Sequence, residues 1–173
     1  MSITMHHNNE SQRLRVGNGF DSHRFEFGRR LILGGVEIAH SHGLSGHSDA
    51  DVLTHAIIDS LLGAAGLEDI GQLFPPDKAQ FKDISSLLLL EEACKLLHQN
   101  GWTIINIDCV ILAESPKLSP YKATIIQSLA DTMQIEVAQI NIKAKTAEGM
   151  GALGRQEGMA ATAVSLLERQ KYC

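Results

Sequence analysis

Strand-like and helix-like segments alternate irregularly along this chain of 173 residues, and their order restricts the possible folds more than any other feature. Apolar and β-branched patterns predict strands over residues 14–20, 30–38, 102–113 and 141–146. Periodicity and end signals predict helices over residues 48–66, 86–98, 119–133 and 155–169. A doubly wound parallel sheet would need regular alternation of strands and helices. We therefore predict an α+β fold: a single two-layer domain with a mixed four-stranded sheet packed against helices.

Glycines and short polar residues mark the boundaries near the first helix. The Gly34-Gly35 pair predicts a bend or bulge in the second strand. Residues 40–46 are rich in Ser, Gly and His and predict a loop. Ser48 is predicted to cap the first helix, with Asp51 at the third helical position.

Charge and composition exclude several classes of protein. The net charge is −5, from 15 Lys+Arg and 20 Asp+Glu, so no basic field favours a nucleic acid. No apolar run reaches the roughly 18–20 residues of a membrane span, and the polar start lacks a secretory signal. The three cysteines form no Cys-x-x-Cys pair, which favours a reducing cytoplasm.

Residues 14–170 are predicted to form one domain after a disordered N-terminal extension over residues 1–13.

One carboxylate and two imidazoles have the spacing of a metal site. Asp21 and His23 are two positions apart at a strand end, so both side chains leave on the same side. His55 lies off the apolar stripe of the first helix, with Asp51 and Asp59 one turn away. Either acid could accept the proton of the imidazole nitrogen that does not bind the metal. Three such ligands suit Zn²⁺ and leave a fourth position open, as in catalytic sites.

Other histidines remain alternatives at this stage. His40, His42 and His47 cluster in the loop before the first helix and compete as ligands. Spacing alone does not exclude them.

Six segments together resemble the family of 2-C-methyl-D-erythritol 2,4-cyclodiphosphate synthases. They occur in one order with few gaps and cover nearly everything from Leu14 to Leu167. The segments are GNGFDSHRF (17–25), LGGV (33–36), HSDADVLTH (47–55), LLGAAGLEDIGQLF (61–74), DCVILAESPK (108–117) and KAKTAEGMGALGRQEG (143–158). Such a set is far more specific than any single motif.

The resemblance implies a role for each matching residue. It implies that Asp21, His23 and His55 bind Zn²⁺ and that Glu148 helps to bind a second ion, Mg²⁺ or Mn²⁺. It implies catalytic roles for His47, in a loop that closes on the substrate, and for Thr146, beside the diphosphate. The residues implied to contact substrate are Ser48, Asp69, Gly71, Ala113, Pro116, Lys117, Leu118 and Thr146.

The resemblance also implies a reaction and an assembly. Members convert 4-diphosphocytidyl-2-C-methyl-D-erythritol 2-phosphate to the 2,4-cyclodiphosphate and release CMP, in the non-mevalonate isoprenoid pathway. They are homotrimers with active sites between subunits. Arg155 and Glu157 match residues near the trimer axis, although a local ion pair is an equal alternative.

The chain departs from the family pattern at three places. Pro76 stands where many relatives have an aspartate, Lys145 where a threonine is frequent, and Ala152-Leu153 where a Phe-Thr pair is common. The substrate contact expected of the first two positions is therefore not carried over.

Two other classes of function compete with the synthase. A zinc-bearing cytidine-nucleotide-binding module without turnover would keep the same metal ligands. An unrelated zinc hydrolase would need a residue that activates water, and no His-Glu-x-x-His motif is present. A dinucleotide fold is disfavoured, because only 19 residues follow the G-x-G-x-x-G match at 149–154.

Overall fold

The computed structural model describes residues 13–75 and 84–170. The substitution at Pro76 and the N-terminal residues 1–12 lie outside these ranges. The strands are β1 (Leu14–Phe27), β2 (Leu31–Leu33), β3 (Val36–Ile38), β4 (His42–Leu44), β5 (Trp102–Leu112), β6 (Ile140–Lys145) and β7 (Gly158–Arg169). The helices are α1 (Val52–Ala65), α2 (Ile70–Leu73), α3 (Ser86–Gln99), α4 (Lys122–Met133) and α5 (Gly151–Gly154). Short 3₁₀ turns cover Ser119–Tyr121 and Val137–Gln139.

The main sheet has five strands in the order β4-β1-β7-β5-β6. β5 and β6 are parallel, whereas the other neighbours are antiparallel, so the prediction of a mixed sheet is confirmed. The predicted number of four strands is wrong. The Gly34-Gly35 pair has positive φ at both residues and turns β2 into β3, which form a separate two-stranded sheet.

The predicted helix over residues 155–169 is wrong, because most of this segment is the central strand β7. Its alanines and leucines favour a helix locally, but β7 pairs with β1 on one side and β5 on the other. Alternate residues of β7 are buried on the face toward α1, as a strand requires. These residues are Met159, Ala161, Ala163, Ser165 and Leu167.

Helix α1 lies directly on β1 and β7 because both strands present small residues to it. A Cβ atom at Gly17 would lie 1.9 Å from the Ser60 carbonyl oxygen, and one at Gly19 would lie 2.0 Å from the Ala56 carbonyl oxygen. The buried hydroxyls of Ser60 and Ser165 are hydrogen-bonded across the same contact. The backbone of β1 therefore lies immediately against the backbone of α1 at these glycines.

Asp51, rather than Ser48, caps α1. Its Oδ1 accepts a hydrogen bond from Thr54 N at 3.0 Å, and its Oδ2 accepts one from Gly35 N at 2.8 Å. The carboxyl group is fully buried, and this burial raises the pKa of Asp51. Asp51 thus joins the start of α1 to the β2–β3 turn, which leaves Ser48 in the preceding loop.

Within residues 13–75 and 84–170, nothing covers the opposite face of β1 and β7. Val16, Phe20 and Val164 lie on this face and are 66%, 60% and 42% exposed. Apolar side chains in one contiguous exposed patch often mark an interaction surface.

Among the described residues, no helix is long and apolar enough to span a membrane.

We expect Gly19→Ala to destabilise the protein by about 2–3 kcal/mol, because the added methyl group collides with the backbone of α1. Gly63→Ala is the matched control, since its Cβ would have Asn18 O at 4.0 Å as its nearest neighbour. That change removes a glycine from α1 and should be neutral or stabilise by up to about 1 kcal/mol. Urea unfolding measures both, and equal stability of the two variants would contradict the close packing.

Candidate metal centre and adjoining cavity

Strand β1 and helix α1 bring three potential ligands together. Asp21 and His23 alternate along β1 on the face toward α1, and His55 lies in the first turn of α1. Asp21 Oδ2 lies 2.9 Å from His23 Nε2 and 3.0 Å from His55 Nδ1. The two ring nitrogens are 3.4 Å apart. The juxtaposition predicted from their spacing is confirmed.

This donor set fits a zinc ion. Ligand atoms about 2.1 Å from a tetrahedral ion lie about 3.4 Å from one another, close to the separations found here. Within the described ranges, only this trio brings three His, Cys, Asp or Glu ligand atoms together, all within 4.8 Å. One carboxylate oxygen and two imidazole nitrogens leave a fourth position for another ligand.

Two of the three competing histidines, His40 and His42, have their contacts elsewhere. His40 Nδ1 lies 2.8 Å from the backbone oxygen of His42, and His42 Nδ1 lies 2.9 Å from the hydroxyl of Ser41. Both rings pack near Phe25. These two histidines contact each other, Ser41 and Phe25 near the end of β1, and not the three-ligand group.

Hydrogen bonds within the trio keep the Asp21 carboxylate negatively charged, which favours binding of a cation. Burial acts to raise the pKa of Asp21, but the hydrogen bonds from His23 and His55 outweigh it and hold that pKa well below its usual range. Burial acts to lower the pKa of His55, but the bond to Asp21 and its charge outweigh burial and raise it. A proton and a metal ion therefore compete for the same negatively charged pocket.

The second ring nitrogen of His55 contacts hydroxyl groups. Nε2 lies 2.8 Å from Ser86 Oγ and 3.2 Å from Ser48 Oγ. The sequence left Asp51 and Asp59 open as partners of this nitrogen, and the structure shows hydroxyl groups there instead. Asp51 caps α1, and Asp59 accepts a hydrogen bond from Ile70 N at 2.9 Å.

A cavity of about 190 Å³ opens beside the metal centre. It is lined by His23, His47, Ser48, His55, Ile70, Gly71, Phe74, Ile84 and Leu89. The predicted residues His47, Ser48 and Gly71 are thus placed next to the metal ligands. Asp69, another predicted contact, caps the adjoining helix α2 by accepting from Gln72 N at 2.9 Å.

Arg29 fixes the loop that carries His47 and Ser48. Its guanidinium donates to the backbone oxygens of Gly46 at 3.0 Å and of Ser48 at 2.9 Å. This contact could not be predicted from the sequence, because Arg29 lies in a bend after β1 and belongs to no motif.

The predicted substrate contacts that follow β5 and β6, together with Glu148, form a second group. Ala113, Pro116, Lys117 and Leu118 follow β5, and Thr146 and Glu148 follow β6. Glu114 joins these segments, because its Oε1 accepts from the backbone N–H groups of Ala147 at 2.9 Å and Gly149 at 3.2 Å. Thr146 Oγ1 donates to Glu148 Oε1 at 2.7 Å.

This second group does not line the cavity beside the metal centre. One member of the group, Leu118, instead lines a separate cavity of about 290 Å³, together with Lys145. Arg155 and Glu157 form an exposed ion pair at 2.7 Å, which is the local pair considered above. Sequence reasoning missed Glu114, because its hydrogen bonds are to two residues of one segment that lies 33 and 35 positions further along the chain.

Comparisons with known proteins point to one family. The model of the YgbB family matches residues 14–168. The 2-C-methyl-D-erythritol 2,4-cyclodiphosphate synthase of Syntrophomonas wolfei is 54% identical over 156 residues, covering 90% of this chain and 99% of that protein. The enzyme of the same name from Enterococcus faecalis is also 54% identical over 156 residues, with the same coverage.

Solved structures show the same likeness. The bifunctional IspDF from Campylobacter jejuni superposes with a TM-score of 0.87 at 43% identity, covering 90% of this chain but 42% of that longer protein. The complex of Plasmodium falciparum IspF with CDP gives a TM-score of 0.82 at 33% identity, covering 92% of this chain and 99% of the other.

We expect His55→Ala to lose bound zinc, because it removes one of three ligands, and His98→Ala to retain it. His98 lies in the last turn of α3, away from the trio. Equilibrium dialysis followed by elemental analysis measures the zinc content. Equal zinc in the two variants would remove His55 from the metal centre.

Zinc affinity should fall as the pH is lowered from about 8 to about 6. The raised pKa of His55 means that protons displace the metal from this nitrogen as the solution becomes acidic. Competition with a chelator of known pH dependence measures the apparent dissociation constant. A constant affinity across this range would contradict a ligand role for neutral His55.

Proposed function

The chain belongs to the YgbB family, and we propose that it converts 4-diphosphocytidyl-2-C-methyl-D-erythritol 2-phosphate to 2-C-methyl-D-erythritol 2,4-cyclodiphosphate and CMP. The observation that carries this proposal is the Asp21–His23–His55 trio beside a cavity lined by His47 and Ser48. Its relatives carry the synthase name over nearly their whole length.

The proposed reaction is an intramolecular displacement at phosphorus. An oxygen of the 2-phosphate forms a bond to the β-phosphorus, and the bond from that phosphorus to the bridging oxygen breaks. CMP leaves with the bonding electron pair. The nucleophile is already anionic, so the residues must mainly position it and offset charge; pre-positioning supplies on the order of 7 kcal/mol in favourable intramolecular cases.

Residues around the cavity supply this positioning. Zn²⁺, held by the trio, would polarise and orient a phosphate group. His47 and Ser48 would contact the phosphate end of the substrate, with their loop fixed by Arg29. Gly71 and Asp69 lie at the start of α2, where the erythritol part would fit.

The second group would hold the nucleotide. Glu148 is proposed to bind Mg²⁺ or Mn²⁺ at the diphosphate, with Thr146 hydrogen-bonded to its carboxylate. The segment 113–118 would form the cytidine pocket. The CDP in the structure of the Plasmodium falciparum relative supports a cytidine nucleotide as ligand.

A homotrimer would unite the two groups. They lie apart within one chain, and the exposed apolar face of β1 and β7 offers a surface for subunit contact. Each site would take zinc ligands from one subunit and the cytidine pocket largely from its neighbour. Arg155 and Glu157 are proposed to lie near the axis.

The buried free thiols of Cys94 and Cys109 support a reducing cytoplasm as the location.

We expect purified protein with Zn²⁺ and Mg²⁺ to release CMP and cyclic diphosphate from the diphosphocytidyl substrate. Phosphorus-31 NMR follows both products. His98→Ala should retain turnover, whereas His55→Ala should lose it with its zinc. Folded, metal-replete protein that binds the substrate without turnover would contradict the synthase and favour the cytidine-nucleotide-binding module.

A further inference from the structure

The buried start of helix α3 is joined to the metal centre by a hydroxyl group. Ser86 is fully buried, and its Oγ lies 2.8 Å from His55 Nε2. The same hydroxyl donates a short hydrogen bond to Asp49 Oδ1. Ser86 therefore lies between a metal-ligand imidazole and a carboxylate.

The direction of these hydrogen bonds is determined by chemistry. His55 presents Nδ1 to Asp21 and His23, so a metal ion would be bound by the lone pair of this nitrogen. The ring proton must then lie on Nε2, which donates to Ser86 Oγ. An ionised carboxylate only accepts, so the Ser86 hydroxyl donates its own proton to Asp49.

We propose that Ser86 and Asp49 are positioning residues that select the metal-binding tautomer of His55 and hold its ring in place. The inference rests on the proposed zinc site. Partners of the nitrogen that does not bind the metal commonly contribute 10–100-fold to metal affinity. Here the partner is a serine that is itself oriented by a carboxylate.

Ser48 contacts the same nitrogen but is less suited to this task. Its hydroxyl is 3.2 Å from His55 Nε2 and lies in the partly exposed loop beside the cavity. Ser86 is closer and is fully buried. When Ser48 turns toward a ligand, Ser86 would still hold the imidazole.

Asp49 is fixed independently of the metal centre. Its Oδ2 accepts a hydrogen bond from Ser86 N at 2.9 Å, and its own backbone N–H donates to Ile84 O at 3.2 Å. The carboxylate thereby supplies the side-chain cap that Ser85, at the N-cap position of α3, does not make. The start of α3 is thus joined to His55 by hydrogen bonds through the Asp49 carboxylate and the Ser86 hydroxyl.

The test compares zinc affinity in Ser86→Ala and Ser85→Ala. Both changes remove a hydroxyl at the start of α3, but Ser85 is exposed and makes no capping hydrogen bond. Competition with a chromogenic chelator should show zinc binding weakened about 10–100-fold in Ser86→Ala and unchanged in Ser85→Ala. The visible spectrum of the Co²⁺-loaded protein should shift only in Ser86→Ala, which loss of helix stability alone would not produce.

A second variant keeps the proposal testable if Ser86→Ala folds poorly. Asp49→Asn retains an oxygen that accepts from Ser86 N, but its amide N–H₂ donates to Ser86 Oγ and reverses the chain of hydrogen bonds. The hydroxyl would then donate to His55 Nε2 and favour the wrong tautomer, so zinc should again bind more weakly. Wild-type zinc affinity in either folded variant would overturn the proposal, whereas absence of zinc from the wild type would overturn the metal site itself.

Discussion

Strand β1 and helix α1 approach each other so closely that side chains from both can share one metal ion. The approach is possible because Gly17 and Gly19 place no Cβ atom against the carbonyl oxygens of Ser60 and Ala56. Further along the same face of β1, the glycines give way to Asp21 and His23, which meet His55. A bulkier residue near the start of the strand would separate ligand atoms that must lie about 3.4 Å apart around a tetrahedral ion.

A net charge of −5 means that an anionic substrate must be bound by local groups such as a metal ion held by this trio. The protein has no general positive field, so phosphate groups must be held by local devices. Hydrogen bonds from two histidines keep the pKa of Asp21 low and its carboxylate ionised. The nearby carboxylate of Asp49 and hydroxyl of Ser86 would then decide which nitrogen of His55 is free for a metal.

The sequence predicted the meeting of Asp21, His23 and His55 better than it predicted the elements around them. The spacing of two residues predicted that Asp21 and His23 lie on one face of a strand. Helical periodicity predicted that His55 lies off the apolar stripe of the first helix. Periodicity failed at β7, whose small residues suit a helix in isolation but pack as a strand under α1. Ser86 could not be found from local patterns, because it lies 31 positions after His55 and only the fold brings the two together.

We expect one ion to bind between β1 and α1, beside the cavity lined by His47 and Ser48. Anomalous diffraction at the zinc absorption edge, from crystals grown with Zn²⁺ and CDP, would locate this ion. A peak is expected about 2.0–2.2 Å from Asp21 Oδ2, His23 Nε2 and His55 Nδ1, with a phosphate oxygen or water in the fourth position. A zinc peak at His40, His42 or His47 instead, with none at the trio, would contradict it.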